Sequence, residues 1–493
     1  MLEKSAFGKN DIRGIYGKDI TEELYYFTGR GFVQYLTKHS HKIPSEMWIT
    51  VCRDARLHSK SLSDALINGL RSTGANVVDL GLAPTPIGYY SEVVGINDNV
   101  TDGNDIIAAM IITASHNPSQ YNGLKMTFDK HSLNESEIQE VCEFTFKEYD
   151  TKSTIQYISG QLKEYDLIKD YIQVMAGNFQ KVGTGLKIVV DSANATGGIV
   201  APQLYRLMGC KVTEMYSNPD GTFPNHHPNP SDERTLKDIK RMVVQEQADF
   251  GIAFDGDSDR IGVIDSKGNS ISGDKLLLIY AREIIENYRL TNITPVVVSE
   301  VKCSQVLFDT IDELGGKSVM CKTGHGYIKS KMKETGALLA GEMSGHTFFK
   351  DKYYGFDDAI YAGCRLIEIV AKYKKENPEF RVEDLLTPFN KVAISPEIRL
   401  ACPNELKKSV LADFTQYVEN NPDMFNTKIK DIITIDGLRI VFDNGFALVR
   451  QSNTEPVFTL RFEADSQISC DIYRDVMVSK IEEIVKSKEV QKI

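Results

Sequence analysis

Short runs of β-branched and apolar residues recur along this chain at 48–51, 106–113, 188–190 and 296–298, each followed by a polar loop and a stretch with helical spacing. Runs of this kind are buried on both faces, and their alternation with helices predicts βαβ units around largely parallel sheets. Those opening at Trp48, Ile188 and Val296 lead into similar polar loops, Arg53-Asp54, Asp191-Ser-Ala-Asn194 and Ser299-Glu-Val-Lys302. This echo at domain-length intervals predicts three related α/β units. Beyond Thr387-Pro388 the pattern changes to a long helix-like segment and then strands with tight turns, at 432–439 and 446–462. A smaller α+β domain is therefore expected to close the chain. With 493 residues, 42% of them hydrophobic, there is apolar material for three or four cores.

Several function classes are excluded early. The first thirty residues hold Glu3, Lys4, Asp11 and Arg13 and no continuous apolar stretch, so neither a signal peptide nor a membrane anchor is expected there. No later run is long enough to span a bilayer. Eight dispersed cysteines without a C-x-x-C pair argue against a disulfide framework or zinc cage and point to a reducing, cytoplasmic setting. A net charge of −11 without a basic block leaves no electrostatic footprint for nucleic acid.

Chemistry is concentrated in a few short motifs. Phe254-Asp255-Gly-Asp257-Ser-Asp259-Arg260 spaces three carboxylates two apart after the apolar run 250–254. In extended backbone a period of two aims all three one way, forming an oxygen-rich pocket for a hard cation; an acidic surface turn is the plain alternative. A calcium EF-hand loop fails, because its sixth and twelfth positions fall on Arg260 and Ser266. Three protein ligands leave coordination sites for water or phosphate, which suits Mg²⁺ in phosphoryl transfer.

Thr113-Ala-Ser115-His-Asn-Pro118 follows the run 106–112, where α/β folds place their ligands, and Lys125 lies close behind. The G-x-S-x-G elbow of a hydrolase is absent, and His116, adjacent in the chain, is badly placed as the base of Ser115. Arg450-Gln-Ser452-Asn453-Thr454 offers the donors a phosphate needs, or forms an ordinary polar turn. Gly341-Glu342-Met-Ser344-Gly-His346 suits sugar hydroxyls, and Lys322-Thr-Gly-His325 places a histidine on a mobile loop. Asp11-Ile-Arg13-Gly14 brings a charge toward Ser115 or closes a salt-bridged turn.

Taken in order and spacing, TASHNP, FDGDSDR, GEMSGH and RQSNTEP resemble the α-D-phosphohexomutases, most closely their bacterial phosphomannomutase/phosphoglucomutase branch, with NDIRG, DGTFPNHHPNP, VKC and KTGH extending the likeness over nearly the whole chain. The resemblance implies domains at 1–168, 169–268, 269–386 and 387–493, the first three α/β with mixed sheets and the last an α+β phosphate-binding lid hinged near Thr387. It implies that Ser115 is the phosphoserine and that Ser115, Asp255, Asp257 and Asp259 hold one Mg²⁺. Arg13, His116, Lys125, Arg260 and His325 are then catalytic, and Lys302, Glu342, Ser344, His346, Arg450, Ser452, Asn453 and Thr454 bind substrate. Asn10 departs from this branch, which usually carries an aromatic there, and 97–104 reads as an inserted surface loop.

The implied reaction moves phosphate between C1 and C6 of mannose or glucose phosphate through a hexose 1,6-bisphosphate, which also serves as activator. Lys125 and His325 are the candidate proton acceptors. The implied partners are hexose phosphates alone, with the chain a monomer or weak homodimer. A phosphoglucosamine mutase is the nearest rival, although Met343 stands where that group typically carries glutamine. An aspartyl-nucleophile phosphatase, suggested by Asp255-Gly-Asp257, would make Ser115 dispensable.

Overall fold

The computed structural model describes residues 2–151, 159–452 and 456–490. By its contacts the chain divides into two compact units, one from residues 1–273 and 344–382, the other from 274–343 and 383–493.

The first unit holds two mixed sheets. In one, Trp48–Arg53 lies between Asn76–Leu82 and Ile106–Ile112, parallel to both, and the sheet continues antiparallel through Tyr121–Phe128 to Ile12–Ile15. The three parallel strands are almost wholly buried, as their unbroken apolar runs require. Helices Glu22–Ser40, Ser59–Arg71 and Glu135–Thr151 cover this sheet. The first of them starts where Thr21 accepts a hydrogen bond from the Leu24 amide (3.2 Å) and Glu22 and Glu23 meet the positive end of the helix dipole. In the other sheet Phe250–Phe254 runs parallel to Lys187–Asp191 and antiparallel to Ile261–Ile264. Residues 97–104, expected as a plain surface loop, include a short helix, Asp98–Thr101, because Asn97 accepts from the Asn99 amide and Thr101 is buried.

In the second unit three parallel strands run in the order Lys317–Cys321, Val296–Glu300, Leu339–Gly341. The final sheet is antiparallel, with Val457–Ala464, Gly445–Gln451, Leu438–Phe442 and Ile429–Ile433 in sequence across it. Helices Asn404–Asn420 and Gln467–Val490 pack on this sheet, and their apolar stripes share its core. Within this unit Arg439 joins the final sheet to the parallel strands. Its guanidinium donates to the carbonyls of Val301 (2.5 Å) and Cys303 (2.9 Å) and stacks on Phe446 at 3.6 Å. No helix among the described residues is long and apolar enough to cross a membrane.

Candidate active site

Ser115 lies just past Ile106–Ile112 in a turn with φ +49°, a left-handed conformation that a serine adopts only when its surroundings hold it there. The holding group is Arg56. Its buried guanidinium donates to the carbonyls of Ser115 (2.9 Å), Asn117 (2.7 Å), Pro118 (2.6 Å) and Tyr121 (3.1 Å), and Asp54 fixes it in turn (3.0 Å). Arg13 adds a second brace, pairing with Asp11 and donating to the Ala114 carbonyl (3.2 Å) and Asn117 Oδ1 (3.1 Å). It therefore does both things its motif allowed, closing a local ion pair and bringing charge to the serine loop.

The aspartate loop meets the serine loop closely. A Cβ on Gly256 would stand 2.4 Å from the Ser115 carbonyl oxygen, so no larger residue fits there without displacing one of the loops. Ser115 Oγ donates to Asp255 Oδ2 at 2.6 Å. Asp255, Asp257 and Asp259 converge with ligand oxygens within 4.8 Å of one another, all buried. They do so through a tight turn rather than the extended backbone expected, with Ser258 at φ +60° and its amide bonded to the Asp255 carbonyl (3.3 Å). Curling the chain turns all three carboxylates inward while Thr85, donating its hydroxyl to Asp257 Oδ2 (2.6 Å), holds the far side.

Three carboxylates so close repel one another. Burial, reinforced by Asp259 and Asp257, pushes the Asp255 carboxyl well above its usual range. Burial works the same way on Asp259, but Lys125 and His346 override it and hold that group below the usual range. Lys125 bonds to Asp257 Oδ2 (2.7 Å) and to Asp259; against burial, these two carboxylates hold its ammonium well above the ordinary value. Asp257 Oδ1 and Asp259 Oδ1 are buried and accept no hydrogen bond. Orphaned hard oxygens beside excess negative charge fit a divalent cation such as Mg²⁺.

Arg260 and His346 complete this unit's cluster. The Arg260 amide donates to Asp255 Oδ1 (3.2 Å) and its Nε to His346 Nε2 (3.0 Å), while His346 Nδ1 lies 3.0 Å from Asp357 Oδ2. His116 Nδ1 is 3.3 Å from Ser115 Oγ, whose proton is directed to Asp255 instead. The charge of Arg260, with burial and Arg13, keeps His116 uncharged, far below the ordinary histidine range. Ser344 accepts at its carbonyl from Ser231 (2.9 Å).

The second unit gathers the other predicted residues it describes. Glu342 accepts from the Gly324 amide (2.7 Å), and His325 is the first residue of the helix His325–Thr335 rather than part of a loop. Lys302 Nζ lies 3.6 Å from Glu300 and 3.7 Å from Glu397; burial would depress its ammonium, but these carboxylates raise it above its ordinary value. Arg450 donates from Nε to Asp436 (3.1 Å), and the Ser452 carbonyl accepts from Lys407 (2.8 Å). Asn453 and Thr454 lie outside the described residues.

Four family models match the chain in order: phosphoglucomutase/phosphomannomutase alpha/beta/alpha domain I over residues 4–152, domain II over 169–268, domain III over 272–389 and the C-terminal domain over 397–478. The chain belongs to the phosphoglucomutase/phosphomannomutase family. A phosphomannomutase/phosphoglucomutase of Pseudomonas putida is 37% identical over 97% of this chain and 96% of its own, and a Neisseria meningitidis phosphoglucomutase is 36% identical over 98% and 97%. The crystal structure of a phosphoglucomutase/phosphomannomutase family protein from Burkholderia thailandensis superposes with a TM-score of 0.86 at 34% identity, covering 98% of each chain. In this family member the residues that sequence reasoning missed are those acting across the fold. Arg56 and Thr85 bond to partners in the serine and aspartate loops 59 or more positions away, and Asp357 meets His346 from a separate loop, so no local motif marks them. Only the polar loop at Arg53-Asp54 hinted at the first.

Proposed function

We propose that the protein is a phosphohexomutase that moves a phosphoryl group between C1 and C6 of glucose or mannose phosphate through phosphorylated Ser115. The carrying observation is the 2.6 Å contact of Ser115 Oγ with Asp255 inside the buried aspartate cluster, which supports reading Ser115 as a nucleophile beside a cation site. Full-length relatives that bear the names phosphoglucomutase and phosphomannomutase support the same reading.

In the first half-reaction a free sugar hydroxyl attacks phosphorus, the bond from phosphorus to Ser115 Oγ breaks, and the hydroxyl proton passes to a base, for which Lys125 and His325 are the candidates. The resulting 1,6-bisphosphate reorients. Ser115 Oγ then attacks the other phosphoryl group, the bond from that phosphorus to the sugar oxygen breaks, the oxygen takes back the proton from the base, and the isomer leaves with the phosphoserine restored. Asp255, Asp257 and Asp259, with the phosphorylated serine, would hold Mg²⁺, whose chemistry when bound is to neutralise charge on the phosphoryl oxygens. Lys125, Arg260 and Arg13 add fixed positive charge, and the burial of Ser115 keeps water from its phosphate. Lys302, Glu342, Ser344, His346, Arg450 and Ser452, with Asn453 and Thr454, are the proposed substrate-binding groups.

Mass spectrometry of the purified protein tests this directly: phosphate on Ser115, lost in Ser115→Ala together with mutase turnover, is the expected result. A hydroxylamine-labile phosphate on Asp255, with activity surviving Ser115→Ala, overturns it in favour of an aspartyl phosphatase.

A further inference from the structure

Glu300 ends Val296–Glu300, the middle one of three parallel strands in the second unit. Because the strands are parallel, their following loops leave from one edge, and register sets Glu300 opposite Cys321 and Ser299 opposite Gly341. Those loops lead to Lys302, to Thr323-Gly-His325 and to Glu342-Met343. Glu300 is fully buried, yet its carboxylate reaches all three. Oε2 accepts from the Lys302 amide (3.1 Å) and the Thr323 hydroxyl (2.7 Å); Oε1 accepts from the Met343 amide (3.3 Å) and lies 3.6 Å from the Lys302 ammonium.

Burying a carboxylate is costly unless it is paired and its lone pairs are filled. No neutral side chain has enough acceptor sites to receive donors from three loops at once, whereas a carboxylate has about four. Around it the loops also bind one another: the Gly324 amide donates to Glu342 (2.7 Å), and the Thr323 amide donates to Asp436 (3.1 Å), the partner of Arg450. Releasing Glu300 would therefore loosen the loop bearing His325 from the loop bearing Glu342, and Lys302 from both.

We infer that Glu300 is a positioning residue that gathers the loops of Lys302, His325 and Glu342 into one sugar-phosphate-binding surface. This rests on the mutase reading for the identity of the ligand, but not for the clamp itself. The test uses the full chain as wild type, Glu300→Gln, Thr323→Val and Thr323→Ser. Hydrogen–deuterium exchange follows residues 300–303, 322–325 and 342–343, while steady-state kinetics with glucose 1-phosphate and its 1,6-bisphosphate give KM and kcat. Glu300→Gln is expected to speed exchange in all three loops and raise KM about tenfold or more, with a smaller change in kcat. Exchange at 106–121 and the slow hydrolysis of phosphorylated Ser115 should stay as in wild type. Thr323→Val should shift exchange and KM the same way by less, and Thr323→Ser, keeping the hydroxyl, should restore both. Unchanged exchange, faster exchange at 300–303 alone, or an unchanged KM would overturn the inference. Should Glu300→Gln fail to fold, the Thr323 pair decides, and valine and serine behaving alike would count against it. A wild type inactive on hexose phosphates would sink the mutase reading, while the exchange data still judge the clamp.

Discussion

Replacing Arg56 by lysine keeps the positive charge beside Asp54 but removes the fork that holds the serine loop. The guanidinium makes five hydrogen bonds, one to Asp54 and four to the carbonyls of Ser115, Asn117, Pro118 and Tyr121. An ammonium has three N–H groups on a single point, so at least two of these acceptors lose their donor in a buried place. Hydrogen bonds to a charged group contribute ~1.5–3 kcal/mol each, so two lost bonds cost the first unit roughly 3–6 kcal/mol before relaxation. Spread over a unit of this size, that lowers its unfolding midpoint by roughly 5–10 °C. The catalytic effect should be larger in proportion, because the carbonyl of Ser115, at the uncommon φ of +49°, is bonded to this guanidinium. A shift of ~1 Å in Ser115, the proposed nucleophile, corresponds to about a hundredfold in rate. Thermal unfolding read at the first transition, with kcat measured below it, checks both numbers. An Arg56→Lys enzyme with the wild-type midpoint and wild-type kcat would show that the guanidinium is a bystander and that other contacts hold the serine loop.

Asp257→Asn should leave the fold intact but lower mutase turnover at least about a hundredfold and abolish the rise in unfolding temperature that added Mg²⁺ produces in wild type; Mg²⁺ stabilising both proteins equally would place the ion elsewhere. Buried Asp358, which accepts from the hydroxyls of Tyr171 (2.8 Å) and Tyr353 (2.7 Å), has its carboxyl raised by burial from 3.8 to about 6. Its folded form binds the proton more tightly than the unfolded chain does. The stability it contributes is therefore complete below about pH 4 and is lost, on the order of 3 kcal/mol, as pH rises through 6. Denaturant titrations from pH 4 to 7 should show that decline in wild type and not in Asp358→Asn, and parallel curves would refute the assignment. Glucose and mannose 1-phosphates should differ in kcat/KM by less than about a thousandfold, since no residue is assigned to read the C2 hydroxyl by which they differ; a larger ratio would mean that a buried polar group reads it.

Local pattern alone determined much of this protein. The apolar runs at 48–51, 106–113, 188–190 and 296–298 are buried strands, and the antiparallel final sheet follows from the short strands and tight turns after 432. The convergence of the three aspartates was legible from their fixed short spacing, although the tight turn at Ser258 was not. The lone pairs of Asp257 and Asp259, the contacts of Lys125 with both and the nearness of His116 to Ser115 needed the tertiary structure. So did Arg56 and Glu300. Neither belongs to a motif with its partners: Arg56 reaches carbonyls 59 to 65 positions on, and Glu300 an amide 43 positions on. A residue's periodicity and chemistry are carried by its neighbours in the chain, so they can be read one segment at a time. Which loops leave the same edge of a sheet depends on strand order, and strand order is settled by packing summed over the whole unit, which no single segment contains.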